Sequence, residues 1–312
     1  MYLGIDFLVR PKLEPCVVEV NVGLPGGAQE YDLAHRVRHG VPSDVFVRID
    51  SISRDVFGKP FKDYINSLPF LNSLKPFKIW LDGQGPLPAV FHPALRLEDK
   101  WVQYQMLNSL VPLPETMIYV PESRVEAVKF LQEKGRLVWK RRLGRGGRGF
   151  RIIDEPANLP TDVEAGYGGL LQERIDSRVD GFVLSIRSIS FGGRPVCMYA
   201  NLSCRSHSNH GVLASVEPGD RFGLSNKRFE IQSFNQRSWE AEIWFGGQEP
   251  AYLHHNLYED EVAAAALIIP GKLFESIKDI SVRIENLYES LDFSSLPRAC
   301  FEEPSPQSSF QG

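Results

Sequence analysis

Three oxygen-bearing side chains stand close to the start of the sequence: Asp6, Glu19 and Asn21, within "LGIDFLVRPKLEPCVVEVNVGLPGG" (residues 3–27). Residues 2–9 and 16–22 read as strands joined by a turn at "RPKLEP". Side chains alternate along a strand, so Glu19 and Asn21 share a face. A turn centred between Lys12 and Leu13 sets Asp6 opposite Glu19. Two carboxylates facing each other destabilise a hairpin unless a cation lies between them. Oxygen-only donors suit Mg²⁺ or Mn²⁺. The same spacing also suits a solvent-facing acidic pair, and spacing alone does not separate the two.

A second constellation lies in "VWKRRLGRGGRGFRII". Lys140 ends one strand, and a loop with Gly144, Gly146, Gly147 and Gly149 leads into another. Glycines let the backbone approach an anion, and successive N–H groups can hold phosphate. Lys140 is placed to reach an α- or β-phosphate. No Lys-Ser or Lys-Thr follows the glycines, so this is no P-loop, and a following strand excludes a dinucleotide fingerprint. An ordinary glycine-rich hairpin remains an alternative. An Arg-Gly nucleic-acid tract through Arg141, Arg142, Arg145 and Arg148 is disfavoured, because the tract is short and the chain carries a net charge of −4.

Other residues invite chemistry with less support. Cys204, His207 and His210 have zinc-like spacing, but no second Cys or His cluster lies nearby in sequence. Arg205 and Arg187 each follow or lie on a strand and could face an anion or solvent. His35 and His39 sit four apart on a short helix and read as surface or substrate-loop residues.

The elements needed to position these groups alternate irregularly. Ala28–His39 reads as a helix, Val45–Ile49 as a strand, and "PFKIWLDGQGPLP" as containing another strand. Leu97–Leu110 and Glu122–Lys134 read as helices; Leu137–Arg141, "FRIID", Gly169–Ile175, Val183–Ser190 and Pro195–Cys204 as strands. Residues 205–250 read as long loops, and Glu259–Leu291 as helix in two pieces split at Pro270-Gly271. This pattern is α+β with hairpins rather than alternating βαβ. At 312 residues, with 43% hydrophobic and 24% charged residues, the chain is an ordinary globular protein of roughly two domains. The four scattered cysteines read as reduced core thiols of a cytoplasmic protein. No signal peptide and no apolar run of about 18 residues is present, so neither export nor a membrane is expected.

Taken together, these motifs resemble the ATP-grasp superfamily. "GIDF" with "EVNVGLPGG" is similar to its metal hairpin, "LEDKWVQYQMLNSLVPLPET" to the opening of its nucleotide region with Lys100 as a phosphate lysine, and "LVWKRRLGRGGRGF" to its second lysine and glycine loop. "LLQERI" resembles the strand between the lobes, so Gln172, Glu173, Arg174 and Ile175 are expected at the adenine. An acid for the ribose hydroxyls is missing near Val183; Asp176 or Asp180 is the substitute, with Asp180 preferred. In the family the metal hairpin comes last, whereas here it comes first. The resemblance therefore implies an α+β ATP-grasp fold, two lobes gripping ATP, circularly permuted. The expected division is residues 1–43 (metal hairpin and loop), 44–95 (connection), 96–170 (small lobe), 171–295 (rest of the large lobe) and 296–312 (disordered tail). It implies an ATP- and Mg²⁺-dependent ligase joining a small-molecule carboxylate to an amine, with Arg205 and Arg187 near the reacting phosphoryl group and Gly23–Gly27 with Gln29 on the acceptor side. A small-molecule kinase or a non-catalytic nucleotide-binding protein are the alternatives. A homodimer is left open as the assembly.

Overall fold

The computed structural model of the protein describes residues 1–23, 25–81, 83–144, 149–161, 168–203, 212–225, 230–233 and 261–302. It is an α+β protein with one mixed and one antiparallel sheet. Two compact units are each assembled from separate stretches of chain. The first takes Met1–His92 and Asp176–Leu291; the second takes Pro93–Ile175 and the segment from Asp292 on.

The first unit holds β1 (Leu3–Arg10), β2 (Glu14–Asn21), β7 (Arg178–Val179), β8 (Phe182–Phe191), β9 (Arg194–Ser203), β10 (Val212–Gly219), β11 (Gly223–Leu224), β12 (Glu230–Ser233) and β13 (Glu261–Pro270). Their order is β11-β13-β10-β9-β8-β1-β2, with β12 also on β13 and β7 on β8. Only the β10–β13 pair is parallel among the described strands. Helix α1 (Ala28–His39) covers the face that carries Tyr199 and Leu213, burying Leu33 and Ala34 against them. Helix α7 (Gly271–Ser290) covers the opposite face, where Ser281 bonds to Ser188 at 2.9 Å. Its buried Leu273, Ile277, Ile280, Ile284 and Tyr288 recur at helical spacing, so one stripe packs on the sheet. Helices α2 (Val45–Phe57), α3 (Phe61–Asn66) and α4 (Pro69–Leu81) complete the unit. The α2 and α3 residues Val45, Ile49, Ile52, Phe61 and Tyr64 pack with Tyr2, Ile189 and Phe191 in one core cluster.

The second unit has a four-stranded antiparallel sheet, order β3-β6-β4-β5: β3 (Thr116–Tyr119), β4 (Leu137–Arg141), β5 (Arg151–Ile153) and β6 (Gly169–Glu173). Helix α6 (Arg124–Lys134) packs Ala127 and Leu131 against Tyr119, Leu137, Trp139 and Leu171. Helix α5 (Lys100–Leu107) is capped by Asp99, whose carboxylate accepts the Trp101 N–H at 2.9 Å.

Several sequence expectations are corrected. Val45–Ile49 is helix, not strand: Val45 and Ile49 are buried while Val47 is 73% exposed, an arrangement strand alternation cannot produce. The strand expected in residues 76–88 is instead the end of α4, with Pro76 inside it. The first expected piece of helix is β13 (Glu261–Pro270), where Ala265, Ala266 and Leu267 are buried between strand neighbours; residues 259 and 260 lie outside the described residues. The expected loops at 205–250 include β10, a strand with neighbours on both sides. The expected disordered tail is ordered through Glu302. Arg96 holds Glu302 through two N–H···O bonds of 2.8 and 2.9 Å, Cys300 N–H donates to Asp99 at 2.9 Å, and Leu296, Ala299 and Phe301 are buried. Residues 303–312 lie outside the described residues.

Candidate functional site

Asp6 and Glu19 are cross-strand partners. The register is reached differently from the expected turn. Arg10 pairs with Glu14, which puts the turn on Lys12, and Phe7 pairs with Val17. A β-bulge then inserts Val18 as an extra residue and restores the pairing of Asp6 with Glu19 and of Gly4 with Asn21. Lys12 and Leu13 take positive φ in the tight turn.

On its other side β1 pairs with β8, and Arg187 lies opposite Asp6. Arg187 Nε donates to Asp6 Oδ1 at 2.6 Å and Nη2 to Oδ2 at 2.8 Å, a bidentate pair. Asn21 Nδ2 adds a bond to Asp6 Oδ2 at 3.1 Å. Arg187 Nη1 reaches back to the Gly26 carbonyl at 3.2 Å, tying the Pro-Gly-Gly loop to the sheet. The loop needs Gly4 beneath it, since a Cβ there would stand 2.7 Å from the Pro25 Cβ. Burial pulls the Arg187 guanidinium down, but the Asp6 carboxylate, with Tyr199 and Glu30 nearby, outweighs it and holds the guanidinium well above its usual value.

The loop ends at the start of α1, where Glu30 is buried. Burial raises its carboxyl above the usual range; the backbone N–H groups of Glu30 and Gly27 and the Arg187 charge pull the other way. Glu30 stands three residues after the capping position Gly27, where an acid folds back on the helix N-terminus. One of its oxygens and the Gln29 side-chain oxygen are buried without a hydrogen-bond partner. The resemblance sets Gln29 with Gly23–Gly27 on the acceptor side and leaves Glu30 unnamed; its spacing from Gly27 is the signal available in the sequence.

For Mg²⁺ the donor chemistry fits: two carboxylates paired across the ribbon, with an amide two residues beyond Glu19. Arg187 is a rival cation. A carboxylate offers about four lone-pair sites, and three N–H groups already point at Asp6. Among the described residues no group of three or more His, Cys, Asp or Glu side chains gathers as a metal centre.

In the second unit the two expected lysines stand near where the chain enters the glycine loop. Lys100 donates its backbone N–H to the Arg142 carbonyl at 3.1 Å and its ammonium to the Gly144 carbonyl at 2.7 Å. Arg142 is clamped on the buried Asp99 through bonds of 3.1 and 2.7 Å. Asp99 thus caps the helix of Lys100 and fixes the strand leading into the loop. Gly149, at φ +78°, closes on Arg141, whose Nε would lie 2.8 Å from any Cβ there. Gly146 and Gly147 lie outside the described residues.

Lys140 Nζ donates to Gln172 Oε1 at 2.8 Å. At the end of β6, the Glu173 N–H bonds to the Glu115 carbonyl at 2.8 Å and the Arg174 N–H to the Arg136 carbonyl at 3.2 Å. Those two donors are therefore spent on neighbouring chain, and Ile175 ends the unit's first stretch. Asp180 sits at positive φ in the β7–β8 turn and accepts the Leu224 N–H at 2.8 Å, one oxygen of the two. Asp176 pairs with Arg178 at 2.8 Å. Arg205, Cys204, His207 and His210 lie outside the described residues. His35 and His39 lie tilted against each other on α1 with ring centres 4.3 Å apart. Cys16, Cys197 and Cys300 are buried thiols, as expected. No described helix is long and apolar enough to cross a membrane.

Set against protein-family models, curated proteins and solved structures, the chain gives no match in any of the three comparisons. The class stands on the fold: an α+β protein carrying a paired-acid hairpin in one unit and a lysine-flanked glycine loop in the other.

Proposed function

We propose that the protein is an ATP-dependent carboxylate–amine ligase of ATP-grasp type, circularly permuted so that the metal hairpin opens the chain. The observation that carries this reading is the cross-strand pair of Asp6 and Glu19 with Arg187 on the adjoining strand. Two acids side by side gain nothing for a hairpin by themselves. An arginine beside them supplies a fixed cation next to a place suited to a second, exchangeable one. The permutation is supported by the ammonium of Met1, which bonds to Glu285 at 3.2 Å and to Glu289 in the last turns of α7. The hairpin thus begins where that helix ends.

A carboxylate is a poor acyl donor because its leaving group is oxide. Phosphorylation by ATP turns it into an acyl phosphate, and an amine then displaces phosphate to give the amide. Mg²⁺ held by Asp6, Glu19 and Asn21 would neutralise charge on the β- and γ-phosphates. Lys100 and Lys140 bind the α- and β-phosphates, and the glycine loop shields the acyl phosphate from water. Arg187, paired with Asp6, would supply positive charge for the transferred phosphoryl group. Arg205 would share that role, and Asp180 or Asp176 would meet the ribose.

The test is a screen of amino acids and small carboxylates with ATP, Mg²⁺ and hydroxylamine as a stand-in amine. Carboxylate-dependent ADP release with hydroxamate formation is the expected result. ADP release with a phosphorylated hydroxyl product would favour a small-molecule kinase. Absence of ATP binding would overturn the nucleotide reading.

A further inference from the structure

We infer that Gln172 and Thr116 are positioning residues that aim the ammonium of Lys140 at a bound phosphate; this rests on the reading of Lys140 as a phosphate ligand. Four groups form a hydrogen-bonded chain across three strands. The Thr116 hydroxyl donates to the Pro114 carbonyl at 2.9 Å. Gln172 Nε2 donates to Thr116 Oγ1 at 3.0 Å. Lys140 Nζ donates to Gln172 Oε1 at 2.8 Å. Thr116 and Gln172 are direct cross-strand partners on β3 and β6, and Gln172 faces Val138 on β4, two residues before Lys140.

The chain has one direction. A carbonyl only accepts, so the single hydroxyl hydrogen of Thr116 is committed to Pro114. Its oxygen is then left as an acceptor, which draws the NH₂ end of the Gln172 amide. The carbonyl end must therefore point at Lys140. The orientation of the amide, normally ambiguous by itself, is set by its partners. These side chains lie on the sheet face opposite Trp139 and Leu171, which are buried against α6. They are thus not part of that core.

The chemistry explains why an amide stands at 172. A neutral carbonyl orients an ammonium without adding a negative charge that would rival an anion. A carboxylate in the same place would compete with phosphate for it. The role proposed here for Gln172 differs from the adenine contact that the resemblance implies.

The experiment is calorimetric titration of the full chain with ATP. Wild-type protein is expected to bind, and Lys140→Met to lose affinity. Gln172→Glu, nearly the same shape, should lose about tenfold, and Thr116→Val should lose several-fold, in line with the loss of a hydrogen bond in a charged chain. Thr116→Ser, which keeps the hydroxyl, should stay near wild type, a rescue that a purely packing role would not give. If wild type does not bind ATP, or Lys140→Met binds as tightly, the phosphate reading falls and the inference with it. If Lys140→Met weakens binding but Gln172→Glu and Thr116→Val do not, the inference alone is overturned. It is likewise overturned if Thr116→Ser loses as much as Thr116→Val. Should Gln172→Glu fail to fold, the two Thr116 variants decide.

Discussion

Asp6 stands between a like charge and an opposite one, and its contribution to folding depends on which neighbour dominates. Glu19 alone would make removal of the Asp6 charge favourable. The bidentate pair with Arg187 reverses that expectation. The pair is only partly buried, with 22% of Arg187 and 17% of Asp6 exposed, so its worth is discounted for solvent screening. Asp6→Asn is expected to lower stability by about 1–2 kcal/mol and, under the proposed function, to abolish ATP-dependent turnover. Urea denaturation with an activity assay checks both, and a variant more stable than wild type would assign control to Glu19. Glu30 gives a pH-dependent counterpart. Its folded-state carboxyl is raised by burial, while in the unfolded chain it titrates near about 4.3. Between those values the folded protein binds more protons than the unfolded one, so unfolding free energy falls as pH rises. The contribution is whole below the unfolded value and is lost as pH climbs through the raised one. Glu285 acts in the same direction, raised by burial against the Met1 ammonium and the Ser190 hydroxyl. Glu30→Gln should therefore gain on wild type as pH rises from 4 towards neutrality, by at most about 1.4 kcal/mol per pH unit. A difference that stays constant across that range in pH-resolved melts would place the titration elsewhere.

Elements were legible where a residue pattern had one physical reading. The β1–β2 ribbon, α1, α6, β4 and β8 follow from alternation, turn residues and helix-end charges. Val45–Ile49 misled because β-branched residues suit strands, while the evidence of a helix lay further along, at Ile52. β13 misled because alanine favours helices, and burial between other strands overrides that preference. Its partner β10 is distant in sequence, so nothing local announced the pairing. At the site, the acids and lysines could be named from their types. What holds them could not: the bulge at Val18, the Arg187 clamp and the Thr116–Gln172–Lys140 chain all depend on neighbouring strands. The sheet of the second unit offers a test at this scale. Gly169 sits beneath Trp139, and a Cβ there would lie 2.2 Å from Nε1 and 2.6 Å from Cε2. Trp139 is fully buried among Tyr119, Leu131, Leu137 and Leu171 and has little room to move. Gly169→Ala should cost about 1–3 kcal/mol, the usual penalty of overpacking. Trp139→Phe makes space, so the double variant should be less destabilised than the two single losses added together. Strict additivity in urea midpoints would show that the clash is not what costs stability.

At the scale of the molecule, each unit is discontinuous in the chain, and the ends that would close it lie within the same unit. In the first unit, Met1 bonds to Glu285 and Glu289 near the end of α7. In the second, Glu302 is held by Arg96, just after the stretch begins at Pro93. The chain can therefore be rewritten as residues 292–302, a short linker, residues 93–291, a second linker, and residues 1–92. Every described segment of both units is kept, only residues 303–312 being left out; each unit becomes continuous, and only the passage from Ile175 to Asp176 still joins them. A linker of a few Gly and Ser residues spans roughly 10–15 Å, ample for ends tied to the same ion pairs. Rearrangement is tolerated where the joined ends are near each other and the backbone bonds at the cuts are few. Retaining 292–302 matters, because that segment supplies the Cys300 N–H to Asp99, the residue that caps the helix of Lys100 and clamps Arg142. The rewritten chain should fold cooperatively, melt within several degrees of the original, and bind ATP if the parent does. A second version that begins at residue 93, and so lacks 292–302, should lose stability in the second unit and, with it, ATP affinity. A rewritten full version that fails to fold would show that the cuts after His92 and Leu291 break something the two units need in common.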